Sequence, residues 1–268
     1  MKHIILATAV TVLLPTAALA TPTSAADAPA ASGRSSSIGV ELGFNTRDSS
    51  QGSITTFAPR IDAFAMISPN LAISAGWGLT TVDAESLAGG AHTLNPALGL
   101  HLTPDLGPVR LRVGILATLP LASSGEASAA LESARILRGG YEPWLYLPDT
   151  FAAAIPLRAE LTVFDAVDLA LEAAAFTYMG TAADAETQFA GQGAVEALLR
   201  LGMARLGARA QMVRGAPELD QLSVEPMARL ELDAVVVEGR LTFNLEQPEL
   251  ERIEDQLWGA HLGVAYRY

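Results

Sequence analysis

The sequence predicts an all-β protein, a transmembrane antiparallel up-and-down β-barrel of about 12 strands with one short helix in a long extracellular loop. Three observations carry that prediction. At the C-terminus, Trp258, Ala260, Leu262, Val264, Tyr266 and Tyr268 alternate with Gly259, His261, Gly263, Ala265 and Arg267. This is the side-chain period of a strand with one apolar face and one small or polar face. Half of the chain (50%) is apolar, yet beyond residue 20 no run approaches the ~18 apolar residues of a spanning helix. Apolar residues instead take turns with Gly, Ala, Arg and Glu, as they do where lipid-facing and lumen-facing positions alternate.

The third observation is a secretory leader. Met1-Lys2-His3 is a short basic start, Ile4 to Leu14 an apolar core, and Ala18-Leu19-Ala20 a small-x-small cleavage site. Residues 1–20 thus read as a signal peptide cleaved near Ala20. Pro15 interrupts the apolar run, which argues against an N-terminal anchor. Residues 21–36, rich in Ala, Ser, Thr and Pro, have little to bury and read as a flexible periplasmic tail. The barrel domain is expected over 37–268. The chain has no Cys, which excludes disulfides, thiolate chemistry and Cys-based metal sites, and its net charge of −12 argues against a general nucleic-acid binder.

Strand 1 is expected from Ser37 to Asn45, with Ile38, Val40, Leu42 and Phe44 facing lipid, and strand 2 from Thr56 to Ile67, with Phe57, Pro59, Ile61, Ala63 and Ile67 outward. Strand 3 presents Leu71, Ile73, Ala75, Trp77 and Leu79, and strand 4 presents Leu94, Pro96, Leu98, Leu100 and Leu102. A turn at Thr103–Pro108 leads to strand 5, with Val109, Leu111, Val113, Ile115 and Ala117 outward. After a long connection from Leu119 to Ala153, strand 6 carries Ile155 to Val163 and strand 7 Val167 to Ala175. Strand 8 spans Phe189 to Leu201, strand 9 Leu206 to Met212, strand 10 Leu222 to Leu232 and strand 11 Val235 to Phe243. The terminal strand makes an even count that leaves both termini in the periplasm, with ten or fourteen as alternatives.

The pattern passes an independent check. With odd strands running up, Phe44, Trp77, Phe243, Phe57, Phe189 and Trp258 fall toward one rim, and Tyr266, Tyr268 and Phe164 toward the other. Two aromatic girdles mark a membrane barrel. The short connections (Ser68 to Asn70, Phe164 to Ala166, Gly202 to Arg205, Asp233-Ala234) share the lower rim and the long ones lie above. A soluble β-sandwich has no reason to sort loops and aromatics in this way.

The opposite phase is expected to line the pore. It holds Arg158, Glu160, Glu172, Glu196, Arg200, Arg209, Glu225, Arg229, Glu231, Glu238 and Arg240 on strands 6 to 11. Strands 1 to 5 add Glu41, Arg60, Asp62, His101, Arg110 and Arg112, and strand 12 adds His261 and Arg267. Tight lower turns would set Arg158 opposite Glu172, Arg229 opposite Glu238 and His101 opposite Arg110, cross-strand pairs that contribute about 0.2–1 kcal/mol each. These charges act either as wall salt bridges or as a selectivity constriction. Gly39, Gly43, Gly76, Gly78, Gly99, Gly114, Gly259 and Gly263 pave the rest of the inner wall. A segment is expected to lie against that smooth side, either the tail 21–36 or the long loop. Within the loop, Ser124 as cap, Glu126 in the first turn, Arg135 and Arg138 in the last, and Gly139-Gly140 as terminator predict a helix, followed by Tyr141, Trp144 and Tyr146. That helix either constricts the pore mouth or packs as an exposed loop.

The upper loops are acidic, with Asp48, Asp83, Glu85, Glu126, Glu132, Glu142, Asp149, Asp184, Glu186, Glu218 and Asp220, and Glu246, Glu249, Glu251, Glu254 and Asp255 in the last loop. Such a rim either recruits divalent cations that bridge lipopolysaccharide phosphates, favours cations at the entrance, or is only solvated, and the last loop lacks the spacing of a formal calcium motif.

Leader, alternating segments and terminal aromatic together resemble Gram-negative outer-membrane β-barrel proteins of the porin-like kind over residues 37–268. The resemblance implies residence in the outer membrane among lipid and lipopolysaccharide. It also implies that Leu262, Val264, Tyr266 and Tyr268 form the signal read by the barrel-insertion machinery. The expected function is a narrow channel for small hydrophilic solutes, without cofactor or metal. A structural or adhesive barrel with a plugged lumen is the alternative. A lipid hydrolase is disfavoured because His101 and His261 face inward and His92 has no recognisable partner.

Overall fold

The computed structural model describes residues 36–49, 52–84, 87–125, 127–182, 184–246 and 258–268. The expected leader and residues 21–35 lie outside the described residues, as do Glu85, Glu126, Glu249, Glu251, Glu254 and Asp255 and the side chains of Asp48 and Trp258. In chain order the strands are β1 (Ser37–Ser49), β2 (Gly52–Ser68), β3 (Leu71–Ala84), β4 (Leu87–Thr93), β5 (Ala97–Leu102), β6 (Asp105–Leu106), β7 (Val109–Thr118), β8 (Thr150–Val163), β9 (Val167–Gly180), β10 (Thr187–Leu201), β11 (Ala204–Arg214), β12 (Gln221–Leu232), β13 (Val235–Glu246) and β14 (Trp258–Arg267). One helix, α1 (Ala127–Leu137), precedes β8. All pairings are antiparallel and join neighbours along the chain, except that β5 pairs with β3 and β7 rather than with β4 and β6, and β14 pairs with both β13 and β1, so the sheet closes on itself. Since β4 and β5 share the same partner and β6 only extends the β5–β7 ladder, the ring is a closed 12-strand barrel. Closure removes the sheet edge around the ring, while β4 pairs with β3 alone among the described strands.

The outer face is apolar along every stave, with Ile38, Val40, Leu42, Ile73, Leu98, Ile115, Ile155, Leu171, Val195, Leu206, Leu230 and Val264 all exposed. Phe44, Trp77, Phe189 and Phe243 stand outward as expected, joined by Phe151, and Phe164 is 95% exposed at a lower turn. The interior carries the polar set instead: Asn45, Thr56, Thr80, Gln211, Gln221, Ser223, Glu225, Thr242 and Asn244 are all buried.

Three expectations need correction. Leu94 does not face outward; it is 1% exposed and packs inside. Residues Leu94 to Pro96 leave the ladder, where Pro96 has no N–H to offer, and this break resets the alternation before Leu98. His101 pairs with Gly114, and Arg110 pairs with Asp105 instead. The strand continues through β6 to Leu106, so the true turn is the shorter Gly107-Pro108, with Gly107 at φ +69°, and the register moves accordingly. The connections between β1 and β2 and between β3 and β4 are not irregular loops. Pairing runs on through Thr46↔Thr55 to Ser49↔Gly52 and through Thr80↔His92 to Ala84↔Leu87. β-branched polar residues sustain a ladder above the apolar belt while showing no apolar alternation.

Candidate pore lumen

The long connection between β7 and β8 folds into the barrel. Leu131, Ala134, Leu137, Trp144, Leu145 and Tyr146 are almost fully buried and form one core with Leu94, Phe176, Tyr178 and Val213 of the wall. Asn95, fully buried, clamps the base of the segment. Its Nδ2 donates to the carbonyls of Trp144 (3.2 Å) and Leu147 (2.7 Å), while its Oδ1 accepts from Ala122 N (2.8 Å). This demand explains why the stave breaks where it does.

The wall also completes the end of α1. The last carbonyls of a helix lack intrahelical partners. Here Asn244 Nδ2 donates to Ile136 O (3.1 Å), His261 Nε2 lies 3.0 Å from Leu137 O, Gln211 Nε2 donates to Arg138 O (2.8 Å) and Ser223 Oγ to Gly139 O (3.3 Å). Because a carbonyl only accepts, Nε2 of His261 is a donor here. Gly139 and Gly140 take φ +64° and +73°, the left-handed conformation in which glycine is unstrained. The helix begins at Ala127, so Ser124 stands outside it, with its backbone N–H donated to Asp149 (2.8 Å).

The glycine wall accommodates this segment. A Cβ built on Gly259 would lie 2.4 Å from Leu137 Cδ1, and one on Gly43 would lie 3.0 Å from Leu137 Cδ2. Of the two occupants expected against the smooth wall, the long loop is seated there, while the tail through residue 35 lies outside the described residues. Gly99 and Gly114 make room for His101, whose Nε2 lies 2.7 Å from Ser74 Oγ.

The charged side chains of the inner phase meet in linked groups. Glu41 is a hub for Arg138 (2.5 Å), Arg240 (2.5 Å) and His261 (3.2 Å), and Arg240 continues to Glu225 (3.2 Å) and Glu238 (3.2 Å). Arg229 joins Glu238 (2.7 Å) to Glu196 (3.4 Å). Arg60 binds Asp62 (2.5 Å) and Glu142, and Arg138 approaches Glu142 at 3.7 Å. Glu172 pairs with Arg158 and Arg209 (2.7 Å) and accepts from the Tyr141 hydroxyl (2.5 Å). Glu160 receives Arg158 (2.5 Å) and Arg110 (4.0 Å). Near the lower rim, Asp168 holds Arg200 (2.5 Å) and Arg205 (3.0 Å), and Glu231 holds Arg205 (2.7 Å) and Arg267 (3.5 Å). Arg112 instead stacks 5.2 Å above the Phe64 ring.

The two remaining register expectations hold: Arg158 lies opposite Glu172 and Arg229 opposite Glu238. Asp168 and Arg205 went unread although the alternation places both inward. Glu142, Arg138 and Tyr141 reach the wall only through the folded loop, so no local pattern reveals them. Burial alone would raise the Glu142 carboxyl, but Arg60 and Arg138 more than offset it and hold the group down at about 2. Glu142 keeps this position with its backbone in the left-handed region at φ 54°.

Beneath the loop, toward the termini, a cavity of about 320 Å³ remains. Its roof is Tyr141, Glu142, Trp144 and Leu145, and its walls include Arg60, Asp62, Phe64, Ser74, His101, Arg112, Arg158, Glu172 and Gln192.

No family model and no curated protein matches the chain. Solved structures do. An outer membrane channel from Pseudomonas putida F1 aligns at TM-score 0.57 with 9% identity, over 90% of this chain and 100% of that one. The NanC porin aligns at 0.53 with 7% identity, over 86% and 100%. The KdgM porin in complex with disordered oligogalacturonate aligns at 0.51 with 8% identity, over 86% and 99%. At these identities the likeness is one of fold: the chain is a closed 12-strand antiparallel β-barrel, and the structures it resembles are outer-membrane channels and porins.

Proposed function

We propose that the protein is a narrow outer-membrane channel for small hydrophilic solutes, held here in an occluded state by its infolded loop. The observation that carries this reading is the chemistry of the lumen. Some twenty acidic and basic side chains and a set of buried amides and hydroxyls face inward around a cavity. Well-packed apolar residues would fill a purely structural barrel at least as stably as buried ion pairs do. A charged, hydrogen-bonded wall is what a water-filled passage requires. The apolar outer belt would be solvated by lipid acyl chains. The outward residues Leu262, Val264, Tyr266 and Tyr268 would be read by the insertion machinery, and the acidic upper loops would meet lipopolysaccharide through bridging cations.

A second reading, a barrel permanently plugged for structural or adhesive use, is favoured by the depth at which Leu131, Leu137, Trp144 and Leu145 are buried. Single-channel recording of the refolded full chain in a planar bilayer separates the two. The channel reading expects brief, small openings, replaced by steady conductance when residues 123–147 are exchanged for a short Gly/Ser linker. Silence from both proteins at every voltage would leave only the plugged barrel.

A further inference from the structure

We propose that the cavity beneath the loop binds a small solute bearing a single carboxylate, with Arg112 as the group that receives it. This deepens the channel reading and rests on it only for the route of entry, since binding itself requires no conduction.

The case begins with a local imbalance. Among the described residues, each of the other arginines facing the lumen has a carboxylate oxygen within 4.0 Å. Arg112 has none, and its cross-strand partner on β8 is another arginine, Arg158. Like charges placed directly opposite one another destabilise a sheet. The charge of Arg158 is already engaged by Glu160 and Glu172. Arg112 is therefore left without a contacting carboxylate in a wall whose other arginines each have one, its compensation coming only from the more distant charges of Glu160 and Glu142, and it borders the cavity.

Geometry then favours a carboxylate. The guanidinium carbon of Arg112 lies over the Phe64 ring, 5.2 Å from its centroid, a contact with the π face that does not consume the N–H donors a guanidinium uses for bidentate bonds. Phe64 is itself braced by His101, with ring centroids 5.7 Å apart. Asp62, Glu142 and Glu172 also line the cavity and would repel a second negative charge, so a monoanion suits it better than a phosphate dianion. Ser74, Tyr141 and Gln192 offer hydroxyl and amide groups to a hydroxylated body. The volume of about 320 Å³ lies at the low end of the roughly 300–1,000 Å³ of ligand pockets, which fits one small acid rather than an oligomer.

Isothermal titration of the refolded full chain in detergent with gluconate, sorbitol and inorganic phosphate tests this. Gluconate and sorbitol share a polyol body and differ at the carboxylate. Gluconate should bind, sorbitol should not, and phosphate should bind more weakly than gluconate. R112Q should weaken gluconate by about thirtyfold or more. R112K, which keeps the charge but not the fork, should fall between wild type and R112Q. R214Q, which removes an arginine at the upper rim that pairs with Glu246, should bind as wild type does. Heat-modifiable gel migration verifies that each variant is folded. Equal binding of gluconate and sorbitol, equal binding of phosphate, or full affinity in folded R112Q or R112K would overturn the assignment. Bilayer recording of the same preparations keeps the two proposals apart. Binding without conductance sinks the channel and spares the site, whereas conductance with no gluconate binding does the reverse.

Discussion

Replacing Gly259 by alanine is expected to unseat the loop while leaving the barrel intact. The glycine has no left-handed backbone that a side chain would strain, so whatever follows comes from the added methyl. That methyl would lie 2.4 Å from Leu137 Cδ1 and 2.9 Å from Leu137 O. Rotating the leucine would relieve the Cδ1 contact alone, but the carbonyl is backbone. It sits 3.0 Å from His261 Nε2, and the neighbouring Ile136 carbonyl accepts from Asn244, so the helix end has no free direction in which to retreat. Overpacking of this kind costs about 1–3 kcal/mol. At roughly 1.4 kcal/mol per factor of ten, the ratio of occluded to open protein falls about 5- to 150-fold. G263A is the control: the same strand, the same inner phase, and a Cβ whose nearest neighbour is 3.9 Å away. The fraction of time spent conducting in a planar bilayer reads the shift, and limited proteolysis within 119–149 reads it a second way. If G259A and G263A behave alike in both assays, the loop is not held by its fit against the glycine wall.

Acid should release the same loop. The Glu142 carboxyl is held at about 2, below its unfolded value of roughly 4.3, so its ion pairs contribute fully above that unfolded value and are lost as pH falls toward 2. Conductance should rise between about pH 4 and pH 2 in the wild type, whereas E142Q should be more open throughout and flat over that window. N95A strips three hydrogen bonds from the loop base. With the freed groups buried, a loss of about 1–3 kcal/mol is expected, read as faster loop proteolysis with the heat-modifiable band retained. Deleting Tyr268 should leave refolding in detergent unchanged but sharply reduce the barrel recovered in the outer membrane of expressing cells, and equal recovery would remove this residue from the insertion signal.

The barrel was legible because its physics is periodic. Val163, Val167, Leu232 and Val235 end apolar runs at tight turns, and from those turns the registers that set Arg158 on Glu172 and Arg229 on Glu238 follow directly. Reading failed where periodicity is interrupted or carries no apolar signal. Leu94 belongs to a tripeptide that serves Asn95 rather than the ladder, and β6 hides inside a segment whose two prolines and glycine read as a single turn. Strand ends such as Thr46 and Thr80 pair outside the apolar belt, where alternation is invisible. The occupant of the lumen was legible only as a vacancy. A row of inward glycines says that something must lie there, and Leu137 is named as its tip only once the loop is folded back across the barrel.

That loop is held by two kinds of force with different consequences for opening. Its apolar side chains lose contact with Leu94, Phe176 and Val213 if it leaves, and burial at roughly 25 cal/mol per Å² favours the occluded state. Its polar bonds behave differently. Asn244, Gln211, Ser223 and His261 grip the carbonyls at the end of α1, and water can replace those carbonyls once the lumen fills, so each bond yields only about 0.5–1.5 kcal/mol net. Glu41 would keep Arg240 when Arg138 withdraws, so opening strands no wall charge without a partner. Arg60 likewise would keep Asp62 when Glu142 departs. A plug joined to the wall by apolar packing alone would be close to permanent, and one joined by unshared ion pairs would leave buried charges behind. Here each charge that grips the loop has a second partner on the wall, which is the arrangement a reversible occlusion requires.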